Sequence, residues 1–193
     1  AWCSYTLARG MGRNGGFAEL LFLTSPLHDI GKIGVPDKIL LKEGPLTPEE
    51  RAVIETHTEI GESILRHPPK SIMMAAQAIP NGSTTEDEAL PSPLLQMASV
   101  IVRSHHEKWD GSGYPDGLAG EDIPVEARMV ALVDVYDALR SKRPYKPAMS
   151  NEEAVGILRK SAGSHFDPRM LESFLDENNH ILAVYDRFGE EAK

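Results

Sequence analysis

Six residues stand out by type and by company. His28 and Asp29 are adjacent, and Lys32 follows at i+4 from the histidine and i+3 from the aspartate, a spacing that puts all three on one helix face. A neutral imidazole beside a carboxylate suits a divalent transition metal, and a carboxylate can also bridge two ions. His57 adds an imidazole on the apolar side of a helix that carries Val53, Ile54, Ile60, Ile64 and Leu65. His105 and His106 form a doublet whose side chains would point about 100° apart on a helix, toward different ions or different sides of one. Asp134 follows the apolar run Met129 to Val133, where burying a bare carboxylate costs several kcal/mol. A metal or cationic partner explains it better than burial alone, with a surface position as the alternative. Taken singly, the His28-Asp29 pair and His57 read first as structural, whereas the histidine doublet and Asp134 are harder to explain that way. Four imidazoles and two carboxylates arriving from four helices read as a metal cluster.

The elements that must position them are helical almost throughout. One helix is expected through Phe17, Leu20, Leu21 and Leu23 to His28 and Asp29, with Pro26 either kinking it or sitting at N1 behind a Ser25 cap, and with Gly31 and Gly34 ending it. Thr47-Pro48-Glu49-Glu50 reads as a capping box that opens the His57 helix. Residues Pro68 to Pro93 are rich in proline and acidic residues and read as an irregular insertion, with Ile72 to Ala78 the one stretch of helical character. Leu94, Ala98, Ile101, Val102 and His105 recur at helical spacing up to a glycine-rich loop, Asp110 to Pro115. A helix after Pro124 carries Asp134, and two shorter ones follow, capped by Ser150 with Glu153 and by Asp167 before Pro168. His67, His165, His180 and Trp109 have no partner motif and read as structural.

With 193 residues, 41% hydrophobic and 25% charged, the chain has the size of one soluble all-α domain. A net charge of −9 works against binding to nucleic acid or an anionic membrane, so a phosphate-bearing substrate needs a local cationic site. The single Cys3 allows no internal disulfide, and no apolar stretch reaches the roughly 18 residues that span a bilayer. A cytoplasmic location is expected. The start, Trp2 to Met11, has helical character without a cap and reads as the interior of a longer protein.

These residues resemble the HD-GYP family, a bacterial branch of the HD phosphohydrolase superfamily. The resemblance rests on His28-Asp29-Ile30-Gly31-Lys32-Ile33-Gly34, on His105-His106-Glu107 running into Asp110-Gly111-Ser112-Gly113-Tyr114-Pro115, on Asp134-Val135-Tyr136-Asp137-Ala138-Leu139, and on Arg143-Pro144-Tyr145-Lys146. It covers nearly the whole chain. It implies an HD-domain helical bundle with a metal site between helices, hydrolysis of cyclic di-GMP, and two or three iron or manganese ions. It maps the metal ligands onto His28, Asp29, His57, His105, His106 and Asp134. Substrate contacts map onto Lys32, Gly113, Tyr114, Arg143 and Lys146, although the turn and the two helix-end charges have plainer readings as structure and solvated surface.

The mechanism implied by the resemblance has two ions about 3.5–4 Å apart holding a bridging hydroxide that attacks phosphorus, with Asp29 as bridging carboxylate and Lys32 stabilising charge on the phosphoryl oxygens. It further implies an upstream sensory or receiver domain and a diguanylate cyclase type partner. The runner-up is a non-catalytic signalling module that binds cyclic di-GMP or a partner domain. One departure from the family is the absence of a histidine before His28, which aligning Leu7-Ala8 places upstream of Ala1. The other is the length of the 68–93 insertion.

Overall fold

The computed structural model describes residues 1–67, 92–142 and 147–189. In chain order the helices are α1 (Trp2–Gly10), α2 (Gly15–Thr24), α3 (Asp37–Leu40), α4 (Pro48–Glu55), α5 (His57–Arg66), α6 (Pro93–Ser104), α7 (Val125–Arg140), α8 (Asn151–Lys160), α9 (Pro168–Asp176) and α10 (Asn178–Gly189). Short 3-10 turns lie at Ser25–Leu27, Ile30–Gly34 and Gly120–Asp122, and the described residues contain no sheet, only two isolated bridges. The expected all-α class is borne out.

The centre is α7. Its Met129, Leu132 and Tyr136 are fully buried among Leu7 of α1, Leu21 of α2, Ile101 of α6, Leu158 of α8 and Phe174 of α9. A smaller cluster, Leu65, Ala98 and Val102 with Leu27 and Leu95 against it, joins α5 to α6 and to the first 3-10 turn. Burying an aliphatic or aromatic side chain is worth about 1.5–3 kcal/mol, so these two clusters are the main reason the site-bearing elements meet.

Local chemistry sets most boundaries where expected. Thr47 and Glu50 form the reciprocal capping box of α4, Ser150 and Glu153 that of α8, and Asp167 accepts the Arg169 N–H at the start of α9. Ser92 accepts the Leu95 N–H with Pro93 at the first position, so these two residues belong to α6 and not to the expected insertion. The remainder of that insertion, including Ile72 to Ala78, lies outside the described residues, as do Arg143 and Lys146.

Three expectations are corrected. The helix expected to run to Asp29 stops at Thr24, because Pro26 cannot donate to the ladder and Thr24 Oγ1 turns back to the Leu20 carbonyl at 2.7 Å. Pro26 then sits in a 3-10 turn without a side-chain cap, and His28 and Asp29 follow it. The expected single His57 helix divides at Thr56. There Thr56 Oγ1, His57 Nδ1 and Thr58 Oγ1 donate to the carbonyls of Val53, Ile54 and Glu55 at 2.7, 2.7 and 3.1 Å, in competition with the backbone ladder. Last, α10 was not expected, since its burial at Ile181 depends on packing against α1 and the core rather than on a local start signal.

The turn Ile30–Gly34 packs directly on α5. A Cβ on Gly31 would run into the His57 carbonyl and lie 2.5 Å from the Gly61 amide nitrogen, and one on Gly61 would strike Val102. Only the missing side chains let the two backbones approach. Gly31→Ala should therefore destabilise the protein by about 1–3 kcal/mol in urea unfolding and reduce metal binding in parallel. A variant with wild-type values for both would show that the turn can move away from α5 without consequence.

Candidate metal centre

His28 and Asp29 sit between two 3-10 turns, His57 opens α5, His105 ends α6 with His106 in the turn beyond, and Asp134 lies on α7. Asp29, His57, His105 and His106 each offer a ligand atom, all within 4.8 Å of one another. His28 Nε2 joins this group through Asp29 Oδ2 at 3.4 Å and reaches Asp134 Oδ1 at 3.5 Å. The two oxygens of Asp29 thus face different neighbours. Oδ1 looks toward His57 Nε2 at 3.4 Å and His105 Nε2 at 3.8 Å, while Oδ2 meets His28 and accepts from Lys32 Nζ at 2.6 Å. The Lys32–Asp29 contact survives the loss of the expected helix, because a 3-10 turn also brings i and i+3 together.

Each anchored imidazole is aimed by its own backbone. His28 Nδ1 lies 2.8 Å from the Ser25 carbonyl, His57 Nδ1 2.7 Å from that of Ile54, and His105 Nδ1 3.1 and 3.0 Å from those of Ile101 and Val102. A carbonyl only accepts, so Nδ1 carries the proton, and in His57 and His105 Nε2 is left with its lone pair turned inward. Asp29 Oδ1, His57 Nε2 and His105 Nε2 are buried without a hydrogen-bond partner. An unmet buried polar group costs about 1–3 kcal/mol, and here three acceptors face one another. A divalent cation satisfies all three at once, and imidazole with carboxylate is a fitting donor set for it.

The electrostatics follow the same division. Burial pulls His28 down, but its hydrogen bonds to Asp134 and Asp29 outweigh this and raise it to about 10. Burial lowers His57 and, with the charges of His105 and His57, pulls His106 down to about 3. Asp29 resists burial through His105, His28 and Lys32, and stays far below the usual carboxylate range. Asp134 is lowered as well, against its burial, by His28. A divalent cation held here would compensate the same two carboxylates that favour the charged form of His28. Asp134 is less enclosed than its apolar helix implies, with its side chain 37% exposed.

The doublet lies at the end of α6 and in the turn beyond it, where two successive helix positions were expected. Because α6 ends at Ser104, the His105 and His106 rings lie 4.0 Å apart and both offer an atom to the same cluster. Tyr114 stacks on His106 at 4.8 Å with 26° between planes, and burial together with Glu55 pushes its hydroxyl above its ordinary range. Gly113 crosses the backbone of His106 to Lys108, where a Cβ would lie 2.5 Å from Glu107 Cα.

Glu107 was quoted in a motif without a role, and the structure gives it one. It is 2% exposed, and its carboxylate accepts the N–H groups of Asp116, Gly117 and Leu118 at 2.7, 3.1 and 3.1 Å. The available signal was an acid placed just before a glycine-rich loop that has spare N–H donors. Among the other histidines, His67 and His180 are exposed and His165 stacks on Phe166. Trp109 lies under Arg128.

A histidine–aspartate pair on a turn, met by imidazoles from two neighbouring helix ends and a carboxylate from a central helix, is the arrangement of an HD domain, and the chain belongs to the HD domain family, whose sequence model matches residues 3–170. Within it, the resemblance to HD-GYP proteins is borne out. A relative from Vibrio cholerae described as "Probable cyclic di-GMP phosphodiesterase" is 45% identical over 90% of this chain and 36% of its own. Another from the same organism, described as "3'3'-cGAMP-specific phosphodiesterase 2", is 37% identical over 86% of this chain and 28% of its own. A solved HDG"Y"P protein from Bdellovibrio bacteriovorus shares the fold, with a TM-score of 0.59 at 20% identity over 92% of this chain and 49% of that one. The chain thus spans about a third of the length of the curated relatives it matches.

Asp29→Asn and His105→Ala should each lose most of the transition metal that wild type retains after dialysis, read by elemental analysis, while helical circular dichroism persists. Full metal content in both variants would put the ligands elsewhere.

Proposed function

We propose that this domain is a phosphodiesterase that hydrolyses cyclic di-GMP with two or three divalent transition-metal ions, iron or manganese, held by His28, Asp29, His57, His105, His106 and Asp134. The observation that carries the proposal is Asp29, whose oxygens face two different sets of imidazoles and leave three buried acceptors unmet. Ions bound there supply Lewis acidity and an acidified water nucleophile.

The chain's own residues do the rest. Asp29 is held ionised at neutral pH by the positive groups around it, and so remains a ligand. Lys32, half-exposed at the rim, brings an ammonium to the place where a non-bridging phosphoryl oxygen gathers charge. Tyr114, fixed by its stack on His106, offers a ring to a base. Arg143 and Lys146 belong to the same proposal as phosphate contacts, and Gly113 as the residue that lets the loop lie close.

A second reading, 3'3'-cGAMP as substrate, is favoured by the cGAMP-specific relative at 37% identity. The alternative of a non-catalytic signalling module keeps the fold without cleavage. We place the domain in the cytoplasm, downstream of a sensory or receiver domain and with a diguanylate cyclase as partner; no described helix is long and apolar enough to cross a membrane. Incubating the metal-loaded chain with each dinucleotide and separating products by chromatography tests these readings. Faster cleavage of cyclic di-GMP supports the first, preference for 3'3'-cGAMP the second, and tight binding without product the module.

Lys32→Ala should keep metal content near wild type and lose roughly a hundredfold or more in turnover, because a preorganised donor at the transition state is worth about 2.7–4 kcal/mol. Wild-type turnover would reduce Lys32 to a surface partner of Asp29.

A further inference from the structure

Arg103 lies on α6, just ahead of His105, and its guanidinium forks. Nε and Nη2 donate to Asp116 Oδ2 and Oδ1, each at 2.7 Å, and Nη1 donates to Glu62 Oε2 at 2.5 Å. Glu62 is on α5, the helix that opens with His57, and Asp116 is in the loop that carries Tyr114. One side chain therefore ties together three elements that border the metal pocket. Asp116 is also gripped from inside, where its N–H donates to the buried Glu107 carboxylate. The loop is clamped at this residue between a guanidinium and a buried acid.

The form of the contact matters more than its strength. The Arg103 and Asp116 side chains are 30% and 36% exposed, and ion pairs of that exposure contribute little to overall stability. A planar bidentate pair nevertheless restrains orientation in a way that a single contact does not. Tyr114 is joined to Asp116 through Pro115 alone, so the hold on Asp116 adds to the Tyr114 N–H bond to the His106 carbonyl at 3.3 Å in setting where the ring starts from the backbone.

We propose that Arg103 is a positioning residue that, through Asp116, fixes Tyr114 over His106 so that the tyrosine ring meets a base of the substrate. The proposal rests on the dinucleotide-hydrolase reading. It sets Arg103 apart from the residues that touch metal or phosphate, since its effect passes through the loop.

The test compares Arg103→Gln and Arg103→Lys in the 193-residue chain reconstituted with Mn2+; lysine keeps the charge but not the fork. Both variants should raise KM for cyclic di-GMP about tenfold, with metal content and hydrolysis of methyl p-nitrophenyl phosphate, which carries no base, unchanged. Hydrogen exchange at the amides of Asp116, Gly117 and Leu118 should accelerate. Equal losses on both substrates would mean a structural role only and overturn the proposal, as would unaltered KM. Should wild type neither bind nor cleave the dinucleotide, that reading falls by itself, and the exchange rates decide Arg103: acceleration supports the clamp, and unchanged rates overturn it.

Discussion

Asp29 is a carboxylate only half satisfied by the groups the fold places around it. Its Oδ1 is buried against the inward lone pairs of His57 and His105, and its Oδ2 is shared between Lys32 and His28. In a closed protein such a concentration of acceptors is destabilising, and the surrounding architecture is arranged to permit it. Apolar contacts of α5 and α6 with the first 3-10 turn supply the stabilising free energy, and α7 brings Asp134 up beside His28. Much of the packing near the pocket makes sense as the means by which several like-minded acceptors are forced toward one point that a cation can occupy.

Forcing them together requires backbones to approach without side chains between them. Gly31 and Gly61 meet where the Asp29 turn lies on the His57 helix, and Gly113 crosses behind His106. The glycine-rich loop is then held from within by Glu107, a buried charge offset by three N–H donors. Charge-assisted bonds of this kind are stronger than neutral ones, and three of them hold the loop against the end of α6.

The legible parts of the sequence were those whose cause is local. Caps at Thr47, Ser150 and Asp167 are short-range hydrogen bonds, and both their residue types and spacings can be read directly. The candidate ligand types were legible only in combination, since one histidine or aspartate on an apolar helix has a structural reading and four imidazoles with two carboxylates do not. What could not be read was competition and distance. The breaks at Thr24 and Thr56 arise because side chains take carbonyls that a helix would use, and nothing in the periodicity of apolar residues reports which donor wins. The start of α10 and the role of Glu107 depend on partners that meet only after the chain has folded.

The carbonyl anchors of His28, His57 and His105 have a bearing on how the centre comes into being. In each case the acceptor lies three or four residues earlier in the same short stretch, so the ring direction is determined by its own turn and requires no contact from the rest of the protein. The rotamer freedom of these three imidazoles is therefore restricted by contacts within their own segments. Less side-chain entropy would then be lost on binding a cation, since the Nε2 atoms of His57 and His105 already face its place. The search that precedes a functional centre becomes a matter of bringing together a few stiff pieces, which is a smaller problem than ordering each side chain around a metal in turn.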